Sequence, residues 1–404
     1  METQTLNDIC DYRKGKTSVA ELTLKNYIST ENLMPNKGGL VEASGLPSTD
    51  TTQVYLTDDV LVSNIRPYFK KIWLAKEDGG CSNDVLVFAA KPGVDPVFLY
   101  YVLANDKFFE YSTASSKGTK MPRGDKGAIM QYEVPKLSLD DQKKIGQMLK
   151  CIDEKIECNN QINRNLSEQA QALFQSWFVD FEPFGGCRPD DWKDGILDEI
   201  IDFSNGYAFK GKELLDAPDP ERECYDVFKQ GHINRGGGFN ITGTKSWYPK
   251  EMAKGLDKFV LRKGDVLMAM TDMKDNVAIL GNTAVMELDG KYIVNQRVGL
   301  LRPTGIYGIQ YPYISLLTNS HDFLKDLRSR ANSGVQVNLS SNEIRNSAII
   351  IAPENVNKEF NELVMPLFET MIENDLENQK LSDLRDTLLP KLMSGELDVS
   401  DLEI

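Results

Sequence analysis

Residues 145–177 read IGQMLKCIDEKIECNNQINRNLSEQAQALFQSW. Ile145, Leu149, Ile152, Ile156, Asn159, Asn163, Leu166, Ala170, Leu173 and Trp177 alternate four and three residues apart, which is the seam of a coiled-coil helix. A shift of 215 lands on Phe360, Val364, Leu367, Met371, Asn374, Asn378, Leu381, Arg385, Leu388 and Leu392, so the seam recurs with its two asparagines in place. Buried asparagines weaken a coiled coil but fix how its partners align. Antiparallel pairing with position sums of 537 sets Asn159 against Asn378, Asn163 against Asn374, Leu166 against Met371 and Ile156 against Leu381. Each amide then meets an amide rather than hydrocarbon. The weak layer is Ile152 against Arg385, whose guanidinium must snorkel past its apolar stem. A rod of this length spans about 50 Å. The competing reading packs each helix separately on its own domain.

At 404 residues the chain has room for two or three domains with ample core. Hydrophobic content of 41% and aromatic content of 9% are ordinary for a globular protein. No apolar run approaches transmembrane length, and the polar start METQTLNDIC is unlike a signal peptide. Cys10, Cys81, Cys151, Cys158, Cys187 and Cys224 make no CxxC pair and no disulfide-like framework. A reducing cytoplasm with mostly buried or inert thiols is expected. The net charge of −14 argues at first against a nucleic-acid partner. Its distribution argues otherwise. Residues 1–139 carry 16 Lys+Arg against 17 Asp+Glu and residues 203–353 carry 19 against 16, while 140–202 carry 7 against 14 and 354–404 carry 4 against 13. The acidity sits on the helical spacers, leaving near-neutral domains that can present basic loops.

The repeat extends beyond the helices. LNDICDYRKG from Leu6 resembles LDEIIDFSNG from Leu197; DVLVSNIRPY from Asp59 resembles DVLMAMTDMK from Asp265; SNDVLVF from Ser82 resembles VNQRVGL from Val294. Each half then has a helical stretch (Val97–Tyr111; Tyr311–Arg330), a polar loop (from Ser115; from Asn332), a short strand (Gln131–Val134; Ser347–Ile351), a proline (Pro135; Pro353) and the long helix. The offset grows from 191 to 218 and settles at 215, so the differences are loop insertions. The expected order is domain 1–139, helix 140–180, linker 181–195, domain 196–354, helix 355–395 and an acidic tail 396–404. The fold class is α/β (α+β), two pseudo-repeated domains joined by an antiparallel coiled coil. Pro366 either kinks the second helix or marks its first turn. Two pseudo-equivalent domains on antiparallel rods suit two DNA half-sites separated by an unread spacer.

Catalytic signals are nearly absent. With only His232 and His321, Ser/His catalysis and histidine metal sites are poorly supported. No GxxxxGK loop appears, GGG at 236–238 reads as a flexible turn, and Asp272 with Lys274 reads as an exposed loop rather than a nuclease pair. There is no amino-methyltransferase N-P-P-Y motif. Binding signals are better. The first polar loop offers Lys117, Thr119, Lys120 and Arg123 for phosphates. Its counterpart offers Ser333, Gln336, Asn338 and Ser340, with amides that suit adenine edges. Earlier turns supply Asn64, Arg66, Tyr68 and Lys70 against Thr271, Asp272 and Lys274. YIST with Thr30 pairs with Lys229–Arg235, which holds His232, Asn234 and Arg235. Different polar residues on equivalent loops are what reading two different half-sites requires; singly, each could be an ordinary solvated loop residue.

ALFQSWFVDFEPF at 172–184 and LRDTLLPKLMSGELDV at 384–399 resemble the helix-ending segments of type I restriction–modification specificity subunits, and YIST and the NQRVG stretch from Asn295 are typical of that family's recognition domains. The resemblance covers essentially the whole chain. It implies two target-recognition domains, each reading half of a bipartite asymmetric site in double-stranded DNA, and an antiparallel helix pair that sets the spacing and docks two methyltransferase subunits. Restriction subunits join that assembly. The resemblance implies no cofactor in this chain: S-adenosylmethionine, ATP and magnesium belong to the partners. It also gives the acidic rods a role as surfaces for basic partner faces, and makes LPKLMSGELDV either a docking element or a cap on the second rod. The alternatives are an enzyme acting alone, a two-headed adaptor for protein or RNA, and an orphan or anti-restriction duplicate that binds methyltransferases without reading DNA.

Overall fold

The structure is a computed structural model, and it describes residues 2–273, 277–333 and 336–399. Contacts divide it into two units, one made of residues 1–159 with 376–404 and the other of 160–375. Each unit thus holds one globular domain and parts of both long helices, Leu139–Phe178 and Glu354–Ser394.

In the first unit Thr3–Thr5 pairs antiparallel with Glu133–Pro135, tying the two ends of the domain together. A four-stranded sheet follows in the order Cys10–Tyr12, Val85–Ala90, Val60–Ser63, Ile72–Leu74. A second sheet orders Lys16–Ser18, Thr51–Tyr55, Gly79–Cys81 and Tyr27–Ile28, the last pair parallel. The β-branched and aromatic strands bury Val60, Val62 and Phe88 against Phe98, Leu99 and Phe108 of the following helices. In the second unit the order recurs as Ile201–Asn205, Val298–Pro303, Val266–Ala269, Thr283–Val285, and Cys224–Phe228 again lies parallel to Tyr292–Val294. Lys193–Ile196 with Ala348–Ile351 repeats the closing pair.

The duplication reaches the turns. Asp59 accepts from Leu56 N–H and Asp265 from Arg262 N–H, and each buried carboxylate is paired with an arginine, Arg13 at 2.5 Å and Arg302 at 2.9 Å. Arg13 directly follows the strand Cys10–Tyr12, whereas Arg302 lies within Val298–Pro303, so the turn is retained while its counter-ion has moved. Each expected helical stretch is instead two helices, Pro96–Ala104 with Asp106–Ala114 and Tyr311–Asn319 with His321–Ser329. Asn105 and Ser320 break them by adopting extended backbone, and Asn105 caps the second helix through Lys107 N–H at 3.0 Å.

The linker is packed through its aromatics: Trp192 is buried, 5.6 Å from the Phe178 ring, and Phe184 packs edge-on to Trp177 at 5.8 Å. Its aromatics outweigh its Gly and Pro. Pro366 lies well inside the second helix and so does not mark its first turn. Cys151, Cys158 and Cys187 are exposed, whereas burial pushes the thiols of Cys10 and Cys81 up to about 12. Leu389, Leu392 and Val399, from the second helix and its tail, are buried in the core of the first domain with Leu6, Phe98 and Leu149. Among the described residues no helix is long and apolar enough to cross a membrane.

Candidate nucleic-acid interface

The helix pairing is explicit in both units. In the first, Asn159 is fully buried; its Nδ2 donates to Asn378 Oδ1 at 3.0 Å and to Glu377 Oε2 at 2.7 Å, and its Oδ1 accepts from Lys155 Nζ at 3.0 Å. In the second, Asn374 Nδ2 donates to Asn163 Oδ1 at 2.8 Å, while Asn163 Nδ2 donates to Asp375 Oδ1 at 2.9 Å and Met371 O at 3.1 Å. The Trp177 and Phe360 rings, 5.7 Å apart, keep the same register at the end of the seam. Ile156, Leu166, Met371 and Leu381 are half-buried along it. Arg385 departs from expectation. Its guanidinium does not snorkel to water but is held by Asp153 at 2.7 Å and Asp386 at 2.9 Å, and Asp153 also accepts from Tyr101 of the first domain at 2.7 Å. Burial of this group against two carboxylates is a paired, hydrogen-bonded arrangement, which is what an interior charge requires.

The seam pattern did not disclose the carboxylates that complete these layers. Asp375 and Glu377 flank the asparagines in sequence but lie off the apolar repeat. Glu287 comes from the second domain. Burial, then the adjacent Asp375, pushes Glu287 up to about 9, and burial also raises Asp375. The pair therefore holds a proton at neutral pH. Both line a cleft of about 290 Å³ with Phe174, His321, Phe368 and Met371.

In the first domain three loop segments lean on one another. Lys117 and Arg123 exchange backbone hydrogen bonds at 2.9 and 3.0 Å, closing a hairpin over 117–123. Arg66 N–H donates to Pro122 O, which docks that hairpin on the 64–70 turn. Asn36 and Lys37 N–H donate to Phe69 O and Lys70 O, each at 2.8 Å. Gly124 makes the approach possible, since a Cβ there would stand 2.8 Å from Ile129 Cδ1 and 3.0 Å from Asn64 Oδ1. Asn36, Lys37, Arg66 and Lys70 all sit in the left-handed region, at φ 56°, 60°, 51° and 51°. Such strain, about 1 kcal/mol or more per residue, persists only where surroundings enforce it and clusters at binding sites.

The side chains differ in how free they are. Lys70 and Lys37 share Asp106 at 2.8 and 2.9 Å, Arg123 pairs with Asp84 at 2.9 Å, and Lys117 with Asp125 at 2.5 Å. Thr119 and Lys120 are exposed, and among the described residues Lys120 has no ion pair. The Thr30 carbonyl accepts from Lys71 Nζ at 2.5 Å. Asn64 Oδ1 and Arg66 Nε are buried with no hydrogen-bond partner among the described residues. Tyr68 stays exposed.

The second domain builds the same scaffold with other residues. Thr271–Met273 pairs antiparallel with Gln336–Asn338, which pairs in turn with Asn332–Ser333, so a hairpin again docks on the turn after the central strand. Gln336 and Asn338 are exposed, and Thr271 Oγ1 donates to Gln230 Oε1 at 2.7 Å. Asp272 is spent on the backbone, accepting from Ile279 and Leu280 N–H at 2.7 and 3.1 Å, and Lys274 lies outside the described residues. Asn234 and Arg235 are exposed.

His232 does not reach the surface. It is 2% exposed, packed on Phe228 and Phe239, and its Nδ1 accepts from Lys229 N–H at 3.1 Å. Asn32 does the same in the first domain, its Oδ1 accepting from Ser29 N–H at 2.6 Å. His232 is thus the turn-closing counterpart of Asn32, and burial lowers its pKa.

The model of the type I restriction modification DNA specificity domain matches residues 1–168 and again 189–384. The type I restriction enzyme MjaIX specificity subunit of Methanocaldococcus jannaschii is 28% identical over 335 residues, 77% of this chain and 71% of that one. The HindI specificity subunit of Haemophilus influenzae is 25% identical, covering 92% and 94%. The crystal structure of a type I restriction–modification S subunit from M. genitalium superposes with a TM-score of 0.59 at 18% identity, covering 97% and 96%, a likeness of fold.

Proposed function

The chain belongs to the type I restriction modification DNA specificity family, and from that premise we propose that it is the non-catalytic, sequence-reading subunit of a type I complex. Each domain reads one half of a bipartite, asymmetric duplex site. The paired helices set the unread spacer and dock methyltransferase subunits, with restriction subunits joining that assembly. S-adenosylmethionine, ATP and magnesium serve in those partners.

One observation carries this reading. At the same place in two copies of one fold, a docked hairpin and turn present Arg66, Lys117, Lys120 and Arg123 in one domain and Thr271, Gln336 and Asn338 in the other. A common scaffold with different polar side chains supports two readers of different sequences. Methylome sequencing of a host expressing the chain with its modification subunit tests it. The expected outcome is methylation at one bipartite motif whose two halves change independently when either domain is exchanged. Methylation without a two-part motif would reject the reading.

A further inference from the structure

Tyr68 and Phe69 stand on the basic turn of the first domain, 48% and 38% exposed, with ring centroids 4.8 Å apart. Consecutive exposed aromatics on a loop mark a contact surface rather than a packing error. The tip that carries them is rigid. Pro67 begins a short 3₁₀ turn, left-handed Arg66 and Lys70 flank it, and Phe69 and Lys70 N–H donate to Arg66 O and Pro67 O at 2.9 and 2.8 Å. The Asn36, Lys37 and Pro122 backbone clamps hold it from two sides. Segments 62–72 and 113–124 around it carry Arg66, Lys70, Lys71, Lys117, Lys120 and Arg123; Lys70, Lys117 and Arg123 are neutralised by Asp106, Asp125 and Asp84, while Arg66, Lys71 and Lys120 have no ion pair among the described residues. Met121, 49% exposed, adds apolar surface on the docked hairpin.

We propose that Tyr68 and Phe69 form an aromatic wedge that the first domain seats against, and partly between, stacked base pairs of its half-site in duplex DNA. The inference rests on the DNA-reading function above and adds how one half of the site is engaged. Cations around the tip hold the two phosphate strands while the rings meet base faces, a division of labour typical of proteins that unstack a step. A rigid tip loses little freedom on insertion, so the contact also responds to how easily a given step deforms. The second domain lacks the device: its counterpart, TDMKDN at 271–276, has no aromatic. The wedge therefore acts in one half-site only.

The test uses the full chain and a duplex recovered by repeated selection from a randomised pool, with 2-aminopurine placed in turn at each position of both half-sites. Wild type should raise fluorescence at one step of one half-site. Tyr68→Ala/Phe69→Ala should abolish that signal and bind the selected duplex about tenfold more weakly or worse, as loss of a base–aromatic stack does. The salt dependence should be unchanged, because phosphate contacts remain, and Tyr68→Phe should behave as wild type. Unaltered affinity in the double variant, or no responding step with wild type, would overturn the wedge while leaving DNA reading intact. Failure of the pool to converge on any two-part sequence would overturn the reading itself, and the wedge with it. If the double variant melts lower than wild type, the wild-type fluorescence scan decides alone.

Discussion

Asn159 donates its side-chain amide to Asn378 across the helix pair, and the carboxylate of Glu377 and the ammonium of Lys155 complete the hydrogen bonding of a group with no solvent access. A one-turn slip of either helix would set this amide against hydrocarbon and break its two cross-helix hydrogen bonds, to Asn378 and Glu377. The layer therefore costs some stability and returns a single register.

Replacing one partner should be worse than replacing both. Asn159→Leu removes the donor to Asn378 Oδ1 and sets hydrocarbon against that oxygen, a loss of about 1–3 kcal/mol, while Lys155 and Glu377 keep their own ion pair at 3.1 Å. Asn159→Leu/Asn378→Leu should recover part of that. Thermal melts of the single and double variants give the comparison, and equal melting temperatures would show that the layer is not coupled.

Arg385 joins the second helix to Asp153 of the first and, through it, to Tyr101 of the first domain. Arg385→Met should lower stability by about 2–4 kcal/mol, since it strands a half-buried carboxylate. Adding Asp153→Asn should offset much of the loss. A double-mutant cycle measures the coupling, and strictly additive losses would contradict it.

The Glu287–Asp375 pair sets a pH dependence. Glu287 is raised in the folded chain from its ordinary 4.5 to about 9, so the stability it contributes is complete below 4.5 and is lost as pH rises toward 9. Melting temperature should fall across that window, with a free-energy slope of at most about 1.4 kcal/mol per pH unit for one proton. Glu287→Gln, which can still donate to Asp375, should flatten the profile and melt above wild type at its alkaline end. A wild-type profile already flat there would refute the shared proton.

Much of this architecture was legible because helix pairing obeys a period. The asparagines stand out on an apolar seam, and a shift of 215 exposes their repetition. The carboxylates were not legible, since Asp375 and Glu377 read as ordinary solvent-facing charges until the facing helix is in place, and Glu287 is distant in sequence. The same limit applies to the loops. His232 looked like a polar turn residue available to DNA, but its ring closes the turn that Asn32 closes in the other domain. The linker's Gly and Pro signalled a break, while Phe184 and Trp192 found partners that only tertiary packing reveals.

Changing Lys117, Lys120 and Arg123 together to Ala should weaken duplex binding by the assembled complex and flatten its salt dependence. Each lost phosphate contact removes about 0.9 from the slope of log affinity against log salt. Lys117 and Arg123 already hold Asp125 and Asp84, so Lys120, which has no ion pair among the described residues, should contribute most when the three are changed singly. An unchanged slope would remove this hairpin from the interface.

The claim on which the account turns is that the paired helices measure the distance between the two half-sites. Inserting one heptad after Asn160 and one after Leu376 keeps the pairing register and adds about 10 Å, or roughly 3 base pairs of duplex. Methylome sequencing of a host carrying this variant with its modification subunit should return the same two half-site sequences with a spacer longer by about that amount. Recovery of the original spacer, with both half-sites intact, would contradict the helices as the ruler.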